Sequence, residues 1–295
     1  MKLAGRGASI SVIIMFRRYD REPADLHRAG SHTDPEHGPQ PESPGARKRF
    51  TAFVARPEVR LAYVSGRNFA RTREAMRHYT LPRPDFVIAD IGTNIFRFSD
   101  DSWHLLQDWH ERIAPDWGEA EHATIRSLLK DIIGLRAQEP GKQERFKLSY
   151  YIPLYLNPTP VKASIAERLQ SHRVRVRLIY SVDEPRGIGL LDLLPAGASK
   201  YHAIEFLREG LGLSCDACLF AGDSGNDMEV LISPIPAVLV ANGSEEVRRA
   251  AIAGSAHTGN GGKLYCARGD LDGMNGNYAA GILEGIAHFH PDLAG

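Results

Sequence analysis

The chain has 295 residues, 43% of them apolar, with 36 basic and 36 acidic side chains. Balanced charge removes the electrostatic case for a nucleic-acid partner. No run of eighteen apolar residues offers a membrane span, and an odd number of cysteines, three, argues against a disulfide framework.

Lys2, Arg6 and the largely apolar stretch 10–16 have only the outline of a signal peptide. The apolar stretch is short, Arg17-Arg18 follows it, and no small-x-small cleavage site is present, so the protein reads as cytoplasmic. Ile10 to Phe16 is the one early strand candidate. After it, residues 17 to 47 are rich in proline, histidine and charge, so residues 1–47 read as an irregular N-terminal segment.

From residue 48 the pattern is α/β. Leu61 to Val64, Phe86 to Ala89, Leu219 to Ala221 and Val238 to Ala241 are short, nearly continuous apolar runs, as in parallel strands covered on both faces. Helical periodicity falls between them, at about 68–79, 199–212 and 244–253. The first run ends in Ser65-Gly66-Arg67. Ser65 there serves either as a helix cap or as a donor to a phosphoryl oxygen, beside the backbone N–H groups of the next helix.

The middle of the chain differs. Phe146, Leu148 and Tyr150 alternate with Lys147 and Ser149, and Val174 to Tyr180 alternate with Arg175 and Arg177. Period-two alternation predicts antiparallel strands with one solvated face, and helices at about 120–132 and 160–171 would cover the other. Residues 100–188 therefore read as an α+β cap inserted into a core made of 48–99 and 189–295. The basic face of the cap, Lys147 included, either holds an anionic sugar over the strand ends of the core or is simply a solvated surface.

Ser199-Lys200 opens an amphipathic helix bearing Tyr201, Ile204, Leu207 and Leu211 on one face. A lysine in the first turn opposes the helix dipole. It is either a solvated surface residue or one that meets an anion. Cys215-Asp216-Ala217-Cys218 has the spacing of a redox or zinc pair, but no second ligand pair accompanies it, so packing is the favoured role. The run 218–221 then ends in Gly222-Asp223-Ser224-Gly225-Asn226-Asp227. Two carboxylates at the end of a buried strand, ahead of a helix, suit either a capped turn or a Mg2+ ion beside a phosphate.

Hydroxyl, lysine and paired aspartates in that order resemble the haloacid dehalogenase (HAD) phosphohydrolase superfamily, whose second, third and fourth motifs they match at Ser65, Lys200 and Gly222 to Asp227. The insertion between Ser65 and Lys200 is similar to a type IIB cap. Pro84 to Ile88 with Gly92-Thr93-Asn94, Phe146 to Tyr150, Asp192 to Pro195 and the tail Ala279 to Phe289 resemble the sucrose-phosphate phosphatase group within that superfamily. The resemblance implies a Rossmann-like parallel-sheet core with the inserted cap, and Mg2+-dependent hydrolysis of a sugar phosphate through an aspartyl-phosphate. Sucrose 6-phosphate or a related disaccharide phosphate is the implied substrate.

The same resemblance gives roles to residues. Asp223 and Asp227 hold the metal. Ser65, Gly66, Lys200 and Asn226 bind the phosphate, and Lys147 meets the sugar. The family's opening D-x-D-x-T is absent. Its nearest counterpart, Asp25-Leu26-His27-Arg28-Ala29, makes Asp25 the candidate nucleophile and metal ligand and His27 the candidate acid/base. Arg21-Glu22-Pro23-Ala24 before it is polar and broken by proline, unlike a strand. The alternative is a relative without turnover that only binds a sugar phosphate or a partner. Codons for His32-Thr33-Asp34-Pro35-Glu36, read one base later, can encode Thr-Leu-Ile-Pro-Asn, similar to the stretch just after the family's nucleophile motif. On that reading residues 1 to about 37 are at least partly a shifted frame.

Overall fold

A computed structural model describes residues 10–16, 41–183 and 186–294. In chain order the elements begin with β1 (Ile10–Phe16), α1 (Ala46–Val54), β2 (Val59–Ser65), α2 (Phe69–His78), β3 (Phe86–Ala89), β4 (Asn94–Ser99) and β5 (Ser102–Leu105). They continue with α3 (Gln107–Ile113), α4 (His122–Leu128), β6 (Arg136–Ala137), β7 (Leu148–Pro153), α5 (Pro158–Ser171), β8 (Val176–Asp183) and β9 (Ile188–Pro195). The last are α6 (Lys200–Gly210), β10 (Cys218–Gly222), α7 (Met228–Leu231), β11 (Ala237–Leu239), α8 (Glu245–His257), β12 (Leu264–Cys266) and α9 (Ala279–Phe289). The class is α/β, as the apolar runs predict.

The chain divides into two compact units. Among the described residues, one comprises 11–16, 41–61 and 208–294; the other comprises 62–183 and 186–207, with Ile10. In the first unit β10, β11 and β12 pair in parallel, and β10 is buried along its whole length. Full burial explains why its sequence carries no polar alternation. Helix α8 starts at Ser244, whose side chain accepts the Val247 N–H, and carries Glu245 and Glu246 in its first turn. Cap and acidic turn both favour a helix start at that point. Apolar α9 is buried from Ala279 to Ile286 and packs on α1. Its first N–H, on Ala279, is accepted by the Glu42 carboxylate at 3.1 Å.

Strand β1 pairs with β10 in the antiparallel sense, Val12 opposite Ala221 and Met15 opposite Cys218. The apolar content of β1 is satisfied, since Val12 to Phe16 are buried, but the direction is not that of the neighbouring ladder. Its first residues therefore lie by the Gly222 end of β10 and its last by Cys218.

In the second unit β2 and β3 pair in parallel, and β4 and β5 extend the sheet as antiparallel strands. A separate antiparallel sheet has the order β6-β7-β9-β8. Ile125 and Leu129 from the α4 region and Ile165 and Leu169 from α5 are fully buried beside it. The alternation in β7 is real, but the expected solvated face is not. Leu148 and Tyr150 are buried on one side, and Lys147 and Ser149, just before and within β7, are buried on the other at 5% and 2% exposure. A polar face can be covered when every group on it finds a partner. Asp90 and Asp192 supply those partners here. Among the described residues no helix is long and apolar enough to cross a membrane.

Candidate active site

In the first unit the turn after β10 is organised by Asp227, whose side chain is fully buried. Its Oδ2 accepts from the Asp223 N–H at 3.3 Å, the Ser224 N–H at 3.2 Å and the Ser224 hydroxyl at 3.0 Å. Its Oδ1 accepts from the Ser11 hydroxyl at 2.7 Å. Ser224 and Asp227 also cap each other reciprocally, as in a capping box. Gly222 is required here because a Cβ at that position would lie 2.7 Å from Asp227 Oδ2. Asp223 is half-buried at the strand end. Its Oδ2 accepts from Asn242 Nδ2 at 3.1 Å, while Asn242 Oδ1 accepts the Tyr278 N–H at 2.8 Å. Asn226 is exposed on the turn.

This donor set bears directly on Mg2+. A hard cation wants carboxylate oxygens. Asp223, at the mouth of the strand, fits that need. Asp227, the other expected metal residue, accepts hydrogen bonds from Ser11, Asp223 and Ser224 that hold the turn beside Asp223. Among the described residues no group of three or more His, Cys, Asp or Glu side chains gathers as a metal site. The strand beside the turn contributes the Ser11 hydroxyl. Asp25 and His27 lie outside the described residues.

The second unit holds the other motif residues. Ser65 ends β2, is fully buried, and accepts the Arg67 N–H at 3.1 Å. Gly66 follows it in the turn, and Asn68 caps α2 by accepting the Arg71 N–H at 3.0 Å. Lys200 opens α6 and is 4% exposed, so it is not a solvated surface residue. Ser199 caps that helix through its hydroxyl, which accepts the His202 N–H at 3.2 Å.

Around these sits a buried polar cluster in which the sequence pattern marked only Lys147. Asp90, 1% exposed, pairs with Lys147 Nζ at 2.5 Å through Oδ1 and accepts from Asn94 Nδ2 at 3.0 Å through Oδ2. Asn94 Oδ1 accepts in turn from His110 Nε2 at 2.8 Å. Burial, reinforced by the Arg145 charge, lowers the His110 pKa, so its neutral form is favoured. Ser149 donates to Asp192 Oδ1 at 2.5 Å, and burial raises the Asp192 pKa against the opposing pull of Lys147. Beyond them, burial and then the Arg71 charge lower the pKa of Lys142.

Asp90 stands at the end of an apolar run, as Asp223 does, and that was the signal available for it. Asn94 and Asp192 lay inside strings that carried the family resemblance but no role. Ser11 and Asn242 had no local signal, because each acts on a residue distant in sequence.

The family model described as sucrose-6F-phosphate phosphohydrolase matches residues 41–290. A putative HAD-like hydrolase of Nitrosococcus oceani is 48% identical over 255 residues, 86% of this chain and 68% of that protein. Sucrose-phosphatase 1 of Nicotiana tabacum is 27% identical over 240 residues, 78% of this chain, and the chain spans 50% of that protein's length. The solved sucrose-phosphatase of Synechocystis sp. PCC6803, in complex with sucrose and phosphate, is similar with a TM-score of 0.65 and 25% identity, over 83% of this chain and 91% of that one.

Proposed function

The chain belongs to the sucrose-6F-phosphate phosphohydrolase family within the HAD superfamily, and we propose that it recognises and hydrolyses the phosphate monoester of a disaccharide phosphate, sucrose 6-phosphate or a close relative. One observation carries the reading. The family match spans a buried hydroxyl, Ser65, and a buried lysine, Lys200, each at the edge of an element in one compact unit. A cation and a hydroxyl that have already left water are suited to a phosphoryl group, because they need little further desolvation to meet it.

In this scheme Ser65 and the Gly66 N–H donate to phosphoryl oxygens, Lys200 neutralises their charge, and Asn226 orients the group. Lys147 and the neighbouring Ser149 and Asp192 lie in or beside the α+β segment 100–188, which acts as the sugar-selecting cap. Asp223 would hold Mg2+ and Asp227 would fix the turn that presents it. When bound, the metal supplies charge neutralisation at the phosphate. The nucleophile that takes the phosphoryl group as an aspartyl-phosphate is Asp25 if the chain turns over, with His27 moving the proton. The balance of the two steps is ordinary hydrolysis: the sugar alkoxide leaves and is protonated, then water releases inorganic phosphate.

A second reading, binding without turnover, is favoured by the direction of β1, which sets the hydroxyl of Ser11 against Asp227. Phosphate release from sucrose 6-phosphate with and without Mg2+ separates the two. Mg2+-dependent release that is lost in Asp25→Asn supports hydrolysis with Asp25 as nucleophile. Release at the level of a buffer blank, with sucrose 6-phosphate still bound in calorimetry and binding weakened by Ser65→Ala, supports the second reading. The absence of both release and binding would refute the proposal.

A further inference from the structure

We propose that Asp90 is a positioning residue that couples the Lys147 ammonium to the pair Ser65 and Lys200; the inference rests on the reading of that pair as phosphate-binding. Five contacts of one short segment carry it, all inside the second unit. The Asp90 N–H donates to the Arg67 carbonyl at 2.8 Å, and the Arg67 N–H is the group that Ser65 Oγ accepts. Asp90 Oδ1 holds Lys147 and Oδ2 holds Asn94. Two residues on, Gly92 lies so close to the start of α6 that a Cβ there would meet the Ser199 carbonyl oxygen at 2.2 Å and the Lys200 nitrogen at 2.7 Å. The Gly92 carbonyl is in turn fixed by the Trp109 indole N–H at 2.9 Å.

The backbone of this segment is unusual. Asp90, Ile91 and Gly92 have φ of 53°, 61° and 101°. A β-branched residue in the left-handed region is a true outlier. Such conformations persist only where surrounding contacts over-determine them, and they gather at functional positions. Asp90 is the residue whose contacts enforce this one. An aspartate tolerates positive φ, and its carboxylate pairs directly with the buried Lys147 ammonium. The left-handed turn in turn sets how closely Gly92 approaches Ser199-Lys200. Asp90 thus ties the Ser65 turn, the Lys200 helix start and Lys147, just before β7, into one arrangement without itself touching the phosphate.

The test uses the full chain, inorganic phosphate as the probe, and hydrogen exchange in the absence of any ligand. Asp90→Asn keeps the shape and the Asn94 contact but removes the charge. It should weaken phosphate binding about tenfold and speed amide exchange in segments 65–68 and 199–202 while leaving 218–222 unchanged. Lys147→Met should weaken phosphate binding likewise, Lys147→Arg should recover part of the loss, and the double variant Asp90→Asn/Lys147→Met should be no weaker than Asp90→Asn alone. Unchanged exchange at both segments in Asp90→Asn would overturn the coupling, and so would wild-type phosphate affinity in Lys147→Met. Ser65→Ala distinguishes the underlying reading: if it leaves phosphate binding intact, the phosphate assignment fails, while the exchange data still decide the coupling.

Discussion

Replacing Asp227 by alanine removes the acceptor of four hydrogen bonds at once, from the Ser11 hydroxyl, the Ser224 hydroxyl and the N–H groups of Asp223 and Ser224. A hydrogen bond to a charged group contributes about 1.5–3 kcal/mol. The two backbone contacts are long, at 3.3 and 3.2 Å, and the two hydroxyls can rotate toward other acceptors or water. Only part of the full sum is therefore lost, and we expect a destabilisation of about 4 kcal/mol. Asp227→Asn retains one carbonyl acceptor but turns an amide N–H2 toward donors, and should cost roughly half as much, about 2 kcal/mol. With a urea dependence of about 3 kcal/mol/M, the alanine variant should unfold at a midpoint about 1–1.5 M below the wild type. Far-ultraviolet circular dichroism during urea titration reads this directly. Tryptophan fluorescence supplies a contrast, because Trp103, Trp109 and Trp117 all lie in Ala62–Leu207. An alanine variant within about 1 kcal/mol of the wild type would refute the reasoning and show that the turn does not depend on this carboxylate.

Gly92→Ala should be destabilising by about 3 kcal/mol or more, because φ is 101° and the added Cβ would enter the Ser199 backbone; a thermal melt at the wild-type temperature would contradict this. Burial pushes the His290 pKa from 6.5 down to about 4, so the unfolded chain binds that proton more readily than the folded one. The stability tied to His290 is therefore complete above pH 6.5 and lost as pH falls from 6.5 toward 4, by about 3 kcal/mol in all. His290→Phe, which can keep a ring against Phe16, should flatten the stability profile in that window, and an unchanged slope would show that another group titrates. Mg2+ should bind weakly, with a Kd of about 1 mM, and Asp223→Asn should abolish the calorimetric signal. Submicromolar binding that is lost on Asp25→Ala would instead make Asp25 a metal ligand.

Local chemistry in the sequence determined a good part of this protein. Apolar runs bounded by Ser65, Asp90 and Asp223 mark strand ends, because a strand covered on both faces has no room for polar residues until it emerges. Asn68 and Ser244, with Glu245 and Glu246, mark helix starts, because a capping side chain answers N–H groups within its own turn. The ordered set Ser65, Lys200 and Asp223 to Asp227 was enough to reach the family, since each residue sits at an element boundary that local pattern defines.

Three features were decided only by the tertiary structure. The direction of β1 is one. Ile10 to Phe16 buries the same apolar surface whichever way it runs, so its composition cannot specify the antiparallel pairing with β10 that brings Ser11 to Asp227. The burial of Lys147 and Ser149 is another. A period of two tells which residues share a face and says nothing of what covers it; here the cover is Asp90 and Asp192, 57 and 43 residues away in the chain. The left-handed turn at Asp90 to Gly92 is the third. No intrinsic preference places Ile91 at positive φ, and only contacts with Arg67, Lys147, Trp109 and Ser199, gathered from four separate places in the chain, hold it there.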